Sequence, residues 1–364
     1  MHHRPFVLKD MGSLAFGGTV STNEDGVTFH GDHGYAQYFI PEHATEYPVI
    51  FWHGLGQSGR CWESTPDGRD GFWQLFLQDD IPVYIIDQCR RGRAGYTLSD
   101  VDTDALLPVE KSEAAVWGTY RIGTWNAPSE SAKIFSDSQF VATPYAIDQF
   151  FRMQSPNSGT EPSTNEHNAF MAQNMRDLLE QAGESILFTH SHSGKYGWET
   201  ALAAPKFVRG ILSYEPGQCL FPEDYQLDYV DSPLGSIIND VMAQYTAPRE
   251  RWLNLTKMPI RIFYGDHIKH EPSDDFGDEI WRISVYRSQQ FVNLINENGG
   301  DAKLISLPDE GLHGNGHSAF IEANNEEFAA LVKKELLDSG LLGRENPYDG
   351  IHRKTLSKTT IPLE

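Results

Sequence analysis

The sequence predicts an α/β fold, a mostly parallel central sheet flanked by helices. Two observations carry that prediction. Short apolar runs alternate along the chain with helix-periodic segments, the pattern of strands joined by helical crossovers. One strand-to-helix junction also carries a serine at its apex: residues 186–197 read Ile-Leu-Phe-Thr-His-Ser-His-Ser-Gly-Lys-Tyr-Gly. A strand, a sharp turn holding Ser191 and a following helix make a nucleophile elbow.

The elements follow in order. Alternating segments at 13–20 and 35–40 suggest an antiparallel lead-in pair. Runs at 49–52, 83–86, 186–188, 210–212, 260–263 and 303–306 read as parallel strands buried on both faces. Helical patterns at 71–78, 168–182, 198–203, 284–298 and 326–339 fall between or after them. Parallel strands require right-handed crossovers. The chain has 364 residues, 39% hydrophobic and 12% aromatic, enough for one large core. With no linker, repeat or low-complexity tract, residues 1–364 are expected to form one domain.

Two connections exceed a plain crossover. Residues 88–167 carry Trp117, Tyr120, Trp125, Phe135, Phe140, Phe150 and Phe151, and residues 218–257 carry Phe221, Tyr225, Tyr229, Tyr245 and Trp252. Both leave the carboxyl ends of strands, where open α/β sheets bind ligands. They are expected to form lid or cap segments, with Trp117, Trp125 and Phe221 on the pocket wall beside His53 and Gly54. The alternative is that these aromatics pack a subsidiary core or an interface between copies.

Net charge is −22 with no basic block, which argues against nucleic acid and anionic membrane partners. No apolar stretch reaches the ~20 residues of a membrane span. Cys61, Cys89 and Cys219 lack metal-ligand spacing and cannot all pair. Residues 1–15 show no signal peptide, so the default expectation is cytoplasmic, with a mature secreted form left open. A small-molecule substrate is expected, an apolar or aromatic ester, with no metal or organic cofactor and with a homo-oligomer left open.

At the elbow, small residues must flank the nucleophile at minus two and plus two. Thr189 and Ser193 satisfy this for Ser191, whereas Lys195 is too long for Ser193 to qualify. Ser193 is therefore expected to pack at the helix start. The hydroxyl needs a histidine to take its proton and a carboxylate to orient that histidine. Leu312-His313-Gly314-Asn315-Gly316-His317 follows the last strand run. His317, behind a flexible Gly-Asn-Gly, is the favoured base and His313 a brace. Glu215 and Asp266 each end a strand and compete for the acid. Oxyanion donors are expected from the His192 N–H and from the Leu55 N–H of His53-Gly54-Leu55-Gly56. Arg90, Arg91 and Arg93 read as structural ties between loops.

With these pieces in order, the chain resembles the α/β-hydrolase superfamily. More narrowly it is similar to a small group of bacterial esterases whose triad acid is a glutamate after strand six. The resemblance runs from about residue 45 to residue 330. It rests on His53-Gly54, residues 62–69, Asp87-Gln88, Arg91-Gly92-Arg93, residues 190–194, Glu215-Pro216-Gly217, Gly265-Asp266-His267 and Gly314-Asn315 with His317. It implies a serine esterase with Ser191 as nucleophile, His317 as base and Glu215 rather than Asp266 as acid. Two departures stand out. The group has adjacent cysteines after its His-Gly where this chain has Leu55-Gly56, and the insertion after Glu215 is longer here. Two rival readings remain: a homologue doing acyl transfer, cyclisation or C–C bond chemistry in biosynthesis, and a non-catalytic binder, which no missing triad member supports.

Overall fold

Val49-Ile50-Phe51-Trp52 shows how the sheet is covered. Ile50 and Trp52 enter one buried cluster, Val49 and Phe51 the other, as the period of two in a strand requires. All four side chains are inaccessible or nearly so. In the computed structural model, which describes residues 5–98, 113–125, 131–236, 238–239 and 245–353, eight strands form the central sheet. They are β1 (Leu8–Phe16), β2 (Gly34–Pro41), β3 (Val49–Trp52), β4 (Val83–Asp87), β5 (Ser185–His190), β6 (Val208–Tyr214), β7 (Pro259–Tyr264) and β8 (Asp301–Ser306). Their order is β1-β2-β4-β3-β5-β6-β7-β8. The β1–β2 and β2–β4 pairs are antiparallel and every later pair is parallel. This is the α/β-hydrolase arrangement.

Helices α1 (Phe72–Leu77), α2 (Glu113–Thr119), α3 (Pro144–Arg152), α4 (Asn165–Ala182), α5 (Ser193–Ala203), α6 (Phe276–Glu297) and α7 (Asn325–Asp338) cover the two faces. The cluster on one face takes Met171 and Leu178 from α4, Tyr196 and Trp198 from α5 and Phe291 from α6. The other takes Phe72 and Phe76 from α1 and Phe328 and Val332 from α7. Among the described residues, no helix is long and apolar enough to cross a membrane.

The strand expected at 13–20 is divided. β1 ends at Phe16, and after Gly17-Gly18 the chain forms a separate hairpin, Thr19–Thr22 with Thr28–Gly31. Helix α5 starts at Ser193, directly after the elbow and five residues before the expected 198, because the polar and small residues Ser193, Gly194 and Lys195 carry no apolar period to mark it. Helix α6 starts eight residues before the apolar pattern, where the Asp275 side chain accepts the Asp278 N–H as a cap.

Two of the pocket-wall candidates, Trp117 and Phe221, sit in core packing, while Trp125 is half-buried. Trp117 is buried against Trp125 and Phe140, with its indole N–H donated to the Lys133 carbonyl at 3.1 Å. Phe221 lies in the short parallel pair Leu220–Pro222 and Tyr245–Ala247, buried against Tyr225 and Phe291. Both rings are core. A large ring that leaves water entirely contributes more there than at a pocket rim.

Candidate active site

Ser191 follows the last residue of β5 in a left-handed conformation, φ 53°. A non-glycine residue there is strained and persists only where its surroundings fix it. Three backbone bonds do so. The Ser191 N–H donates to the Tyr214 carbonyl at 3.0 Å, and its own carbonyl accepts the Gly194 N–H at 3.0 Å and the Gly217 N–H at 2.9 Å. Helix α5 then crosses close to the strand: a Cβ on Gly197 would lie 2.8 Å from the Thr189 methyl carbon. Ser193 is fully buried, its hydroxyl accepting the His190 N–H at 3.0 Å and facing the Trp52 carbonyl at 3.0 Å. Ser191 itself stays partly exposed.

Glu215 follows β6, also left-handed, φ 45°, with its N–H donated to the Phe263 carbonyl of β7 at 2.8 Å. The side chain is fully buried. Its Oε2 accepts His317 Nδ1–H at 2.5 Å, while Oε1 accepts the Gly265 N–H at 2.8 Å and pairs with Arg121. Burial alone would raise the Glu215 pKa, but the Arg121 guanidinium and the His317 bond outweigh it, and the carboxyl is held below its usual value.

Asp266, the competing acid, does something else. Its two oxygens accept the His267 N–H at 2.7 Å and the Gly314 N–H at 3.0 Å. It therefore braces the foot of the histidine loop. His313 is exposed, its Nδ1 3.8 Å from Asp266 Oδ2.

His317 is almost completely buried, and both backbone groups are fixed. Its N–H donates to the Tyr120 carbonyl at 2.9 Å, and its carbonyl accepts His190 Nε2–H at 2.8 Å. The ring is walled by Trp281 (centroids 4.2 Å), His190 (4.6 Å) and Tyr120 (5.1 Å). His190 immediately precedes Ser191, while Tyr214 and Gly217 lie on either side of Glu215 and bond the Ser191 backbone. The nucleophile candidate, base and acid thus converge on the carboxyl ends of β5 and β6.

Among the described residues, neither the Leu55 nor the His192 N–H has a hydrogen-bond partner. The Gly54 N–H is taken by Gln57 Oε1 at 3.0 Å, and a Cβ on Gly54 would meet the His190 ring. His53 is inaccessible, facing the Gly54 carbonyl with Nδ1 and accepting the Gln88 N–H at Nε2, 3.2 Å away. Burial, aided by Arg91, pushes its pKa down to about 4, so it stays neutral. His53 and Gly54 therefore shape the loop from behind.

The arginines of residues 90–93 are ties, as expected. Arg90 pairs with Asp32, Arg91 with Glu161 and Arg93 with Asp87. Glu161, buried, also accepts from Gln88 and from the Tyr196 hydroxyl, which contacts the His192 ring at 3.0 Å. Asp137, Asp266 and His267 each bring one potential metal-ligand atom within 4.8 Å of the others. Both Asp266 oxygens already serve backbone N–H groups, and the arrangement above routes nothing through this group. The cysteines are all free and buried.

Arg121, Tyr120, His190, Trp281 and Glu161 were not singled out in the sequence as site residues. Arg121 gave no signal there, being one of several cations in the 88–167 segment.

No protein-family model matches the chain. It is 28% identical over 321 residues to a probable secreted lipase, phiG, of a fungal species (strain ATCC 74256), covering 82% of this chain and 84% of that protein. Among solved structures it is similar to a novel bacterial esterase determined at atomic resolution. That likeness has a TM-score of 0.70 and 28% identity, and spans 93% of this chain and 98% of the other. The chain thus has the α/β-hydrolase fold and is similar to proteins named as an esterase and a lipase, carboxylic ester hydrolases.

Proposed function

We propose that this protein hydrolyses carboxylic esters through an acyl-enzyme, with Ser191 as nucleophile, His317 as base and Glu215 as acid. The observation that carries the reading is the His317 Nδ1–Glu215 Oε2 bond of 2.5 Å, at the strand end to which the Ser191 elbow is tied. In this reading Ser191 Oγ attacks the ester carbonyl as its proton passes to His317 Nε2. The carbon–oxygen bond to the alcohol breaks as His317 returns that proton to the leaving oxygen. Water then attacks the acyl-enzyme by the same relay and frees the acid. The Leu55 and His192 N–H groups face the oxyanion, where losing one donor would cost ~10²–10³ in turnover.

An apolar or aromatic ester suits the surroundings. Rings run from His317 through Tyr120 and Phe150 to the partly exposed Phe151, with successive centroids 5.1, 5.3 and 5.3 Å apart. The test is fluorophosphonate labelling with peptide mapping, alongside p-nitrophenyl ester turnover. Labelling is expected on Ser191, and turnover should fall by roughly 10⁴ or more in Ser191→Ala and 10³–10⁴ in Glu215→Gln. Labelling without turnover would favour acyl transfer or biosynthetic chemistry. No label on Ser191 would sink the triad.

A further inference from the structure

Arg121 comes from the 88–167 insertion, far in sequence from every triad candidate, and yet reaches the acid. It is left-handed, φ 52°, and its side chain is 5% exposed. One guanidinium nitrogen pairs with Glu215 Oε1, and Nε–H donates to the Asp266 carbonyl at 2.9 Å. The guanidinium carbon lies 5.0 Å from the centre of the Trp281 ring, whose other neighbour is the His317 imidazole. Glu215 is thus shared: Oε2 serves the base, and Oε1 serves Arg121 and the Gly265 N–H.

That sharing has an electrostatic consequence. A bare buried carboxylate would favour the imidazolium strongly and make His317 a strong base. A carboxylate already paired to a guanidinium presents almost no net charge to the ring. We propose that Arg121 is a positioning residue that clamps Glu215 and weakens His317 as a base, so that the histidine stays unprotonated, and the serine competent, in mildly acidic medium. This inference rests on the triad reading above.

The other groups facing the pair do not replace Arg121. His190 of β5 adjoins the ring and is held neutral by burial. Tyr214 of β6 donates its hydroxyl to the Gly316 carbonyl at 2.5 Å, and the Tyr120 hydroxyl accepts from Gln57. Asp266 and His267 after β7 are occupied with each other, Gly314 and Asp137. Glu322 accepts from Asn315 and Gly316 beyond the ring. Among these described groups, Arg121 is the cation bonded to Glu215.

The experiment is the rate of fluorophosphonate labelling of Ser191 between pH 4.5 and 9, for wild type, Arg121→Gln and Arg121→Lys. It needs no native substrate. Wild type should show an acid limb with its midpoint below the ordinary histidine value of ~6.5. In Arg121→Gln the midpoint should rise by about one pH unit. Arg121→Lys, keeping the charge without the fork, should restore the midpoint while labelling more slowly. A role confined to packing would lower the plateau in both variants and leave the midpoint in place, which overturns the proposal. So would a wild-type midpoint at or above ~6.5, a result that needs no variant to fold. Absence of any Ser191 label would instead defeat the triad reading itself.

Discussion

His190 Nε2 and the backbone carbonyl of His317 are 2.8 Å apart, joining the residue before the elbow to the residue proposed as base. His190 Nδ1 lies 2.9 Å from the Gln57 amide, which in turn holds the Gly54 N–H of the oxyanion loop. One buried imidazole therefore spaces three loops. Replacing it by leucine fills much of the volume but strands the His317 carbonyl, at a cost of about 1–3 kcal/mol. His190→Leu should lower Tm and reduce kcat on p-nitrophenyl esters more than it raises KM. Unchanged kcat in a folded variant would show that the loops hold their spacing without it.

Glu322 gives the histidine loop a pH dependence of unusual sign. Burial raises its pKa to about 7, although Asn315 and the Gly316 N–H favour the carboxylate. Its folded value therefore lies above the unfolded one, near 4.5. A group of this kind contributes stability that is complete below ~4.5 and lost as pH rises through 7. Glu215 has the opposite sign, its contribution present above the unfolded carboxylate value and lost on acidification. Buried neutral histidines such as His53 and His190 act the other way, gaining stability as pH rises toward ~6.5, so the Glu322 contribution is read by urea unfolding as the difference between wild type and Glu322→Gln, which cannot ionise. That difference should shift against wild type between pH 5 and 7, and a difference that does not change with pH would refute the assignment.

Gly314 is where the loop to His317 meets the first insertion. Its φ is 76°, and a Cβ there would lie 1.7 Å from the Asp137 carbonyl oxygen and 2.6 Å from its carbon. Backbone cannot yield as a flexible side chain can, so both the conformation and the space exclude alanine. Gly314→Ala should destabilise by ~3 kcal/mol or more and abolish labelling of Ser191 through displacement of His317. A Tm within a few degrees of wild type, with labelling retained, would contradict the close packing of these two segments.

Much of this was legible in the chain because it is local. The strand at 49–52 and the elbow at 189–193 depend on neighbours in sequence, so residue type and period reveal them. The proposed acid was not legible in this way. Glu215 and Asp266 both end strands, and what separates them is the left-handed turn at Glu215 and a bond across 102 positions to His317. Arg121 and His190 act through partners 94 and 127 positions away, which no spacing rule encodes. Trp117 and Phe221 were ambiguous for a different reason. Aromatic content reports that a segment buries rings, and both cores and lids do that.

Phe221 and Phe151 turn that ambiguity into an experiment. Phe221 is 1% exposed, stacked on Tyr225 at 5.5 Å and edge-on to Phe291 at 6.1 Å, in the cluster that carries helix α5. Truncating such a ring leaves a cavity and costs about 3–5 kcal/mol. Phe151 is partly exposed at the outer end of the ring series that begins at His317, so little packing depends on it. Phe221→Ala should therefore lower Tm sharply and leave kcat/KM on short p-nitrophenyl esters close to wild type. Phe151→Ala should leave Tm within a few degrees and raise KM severalfold for bulky aromatic esters. If the two variants exchange these phenotypes, the second insertion lines the pocket after all and the first is ordinary core.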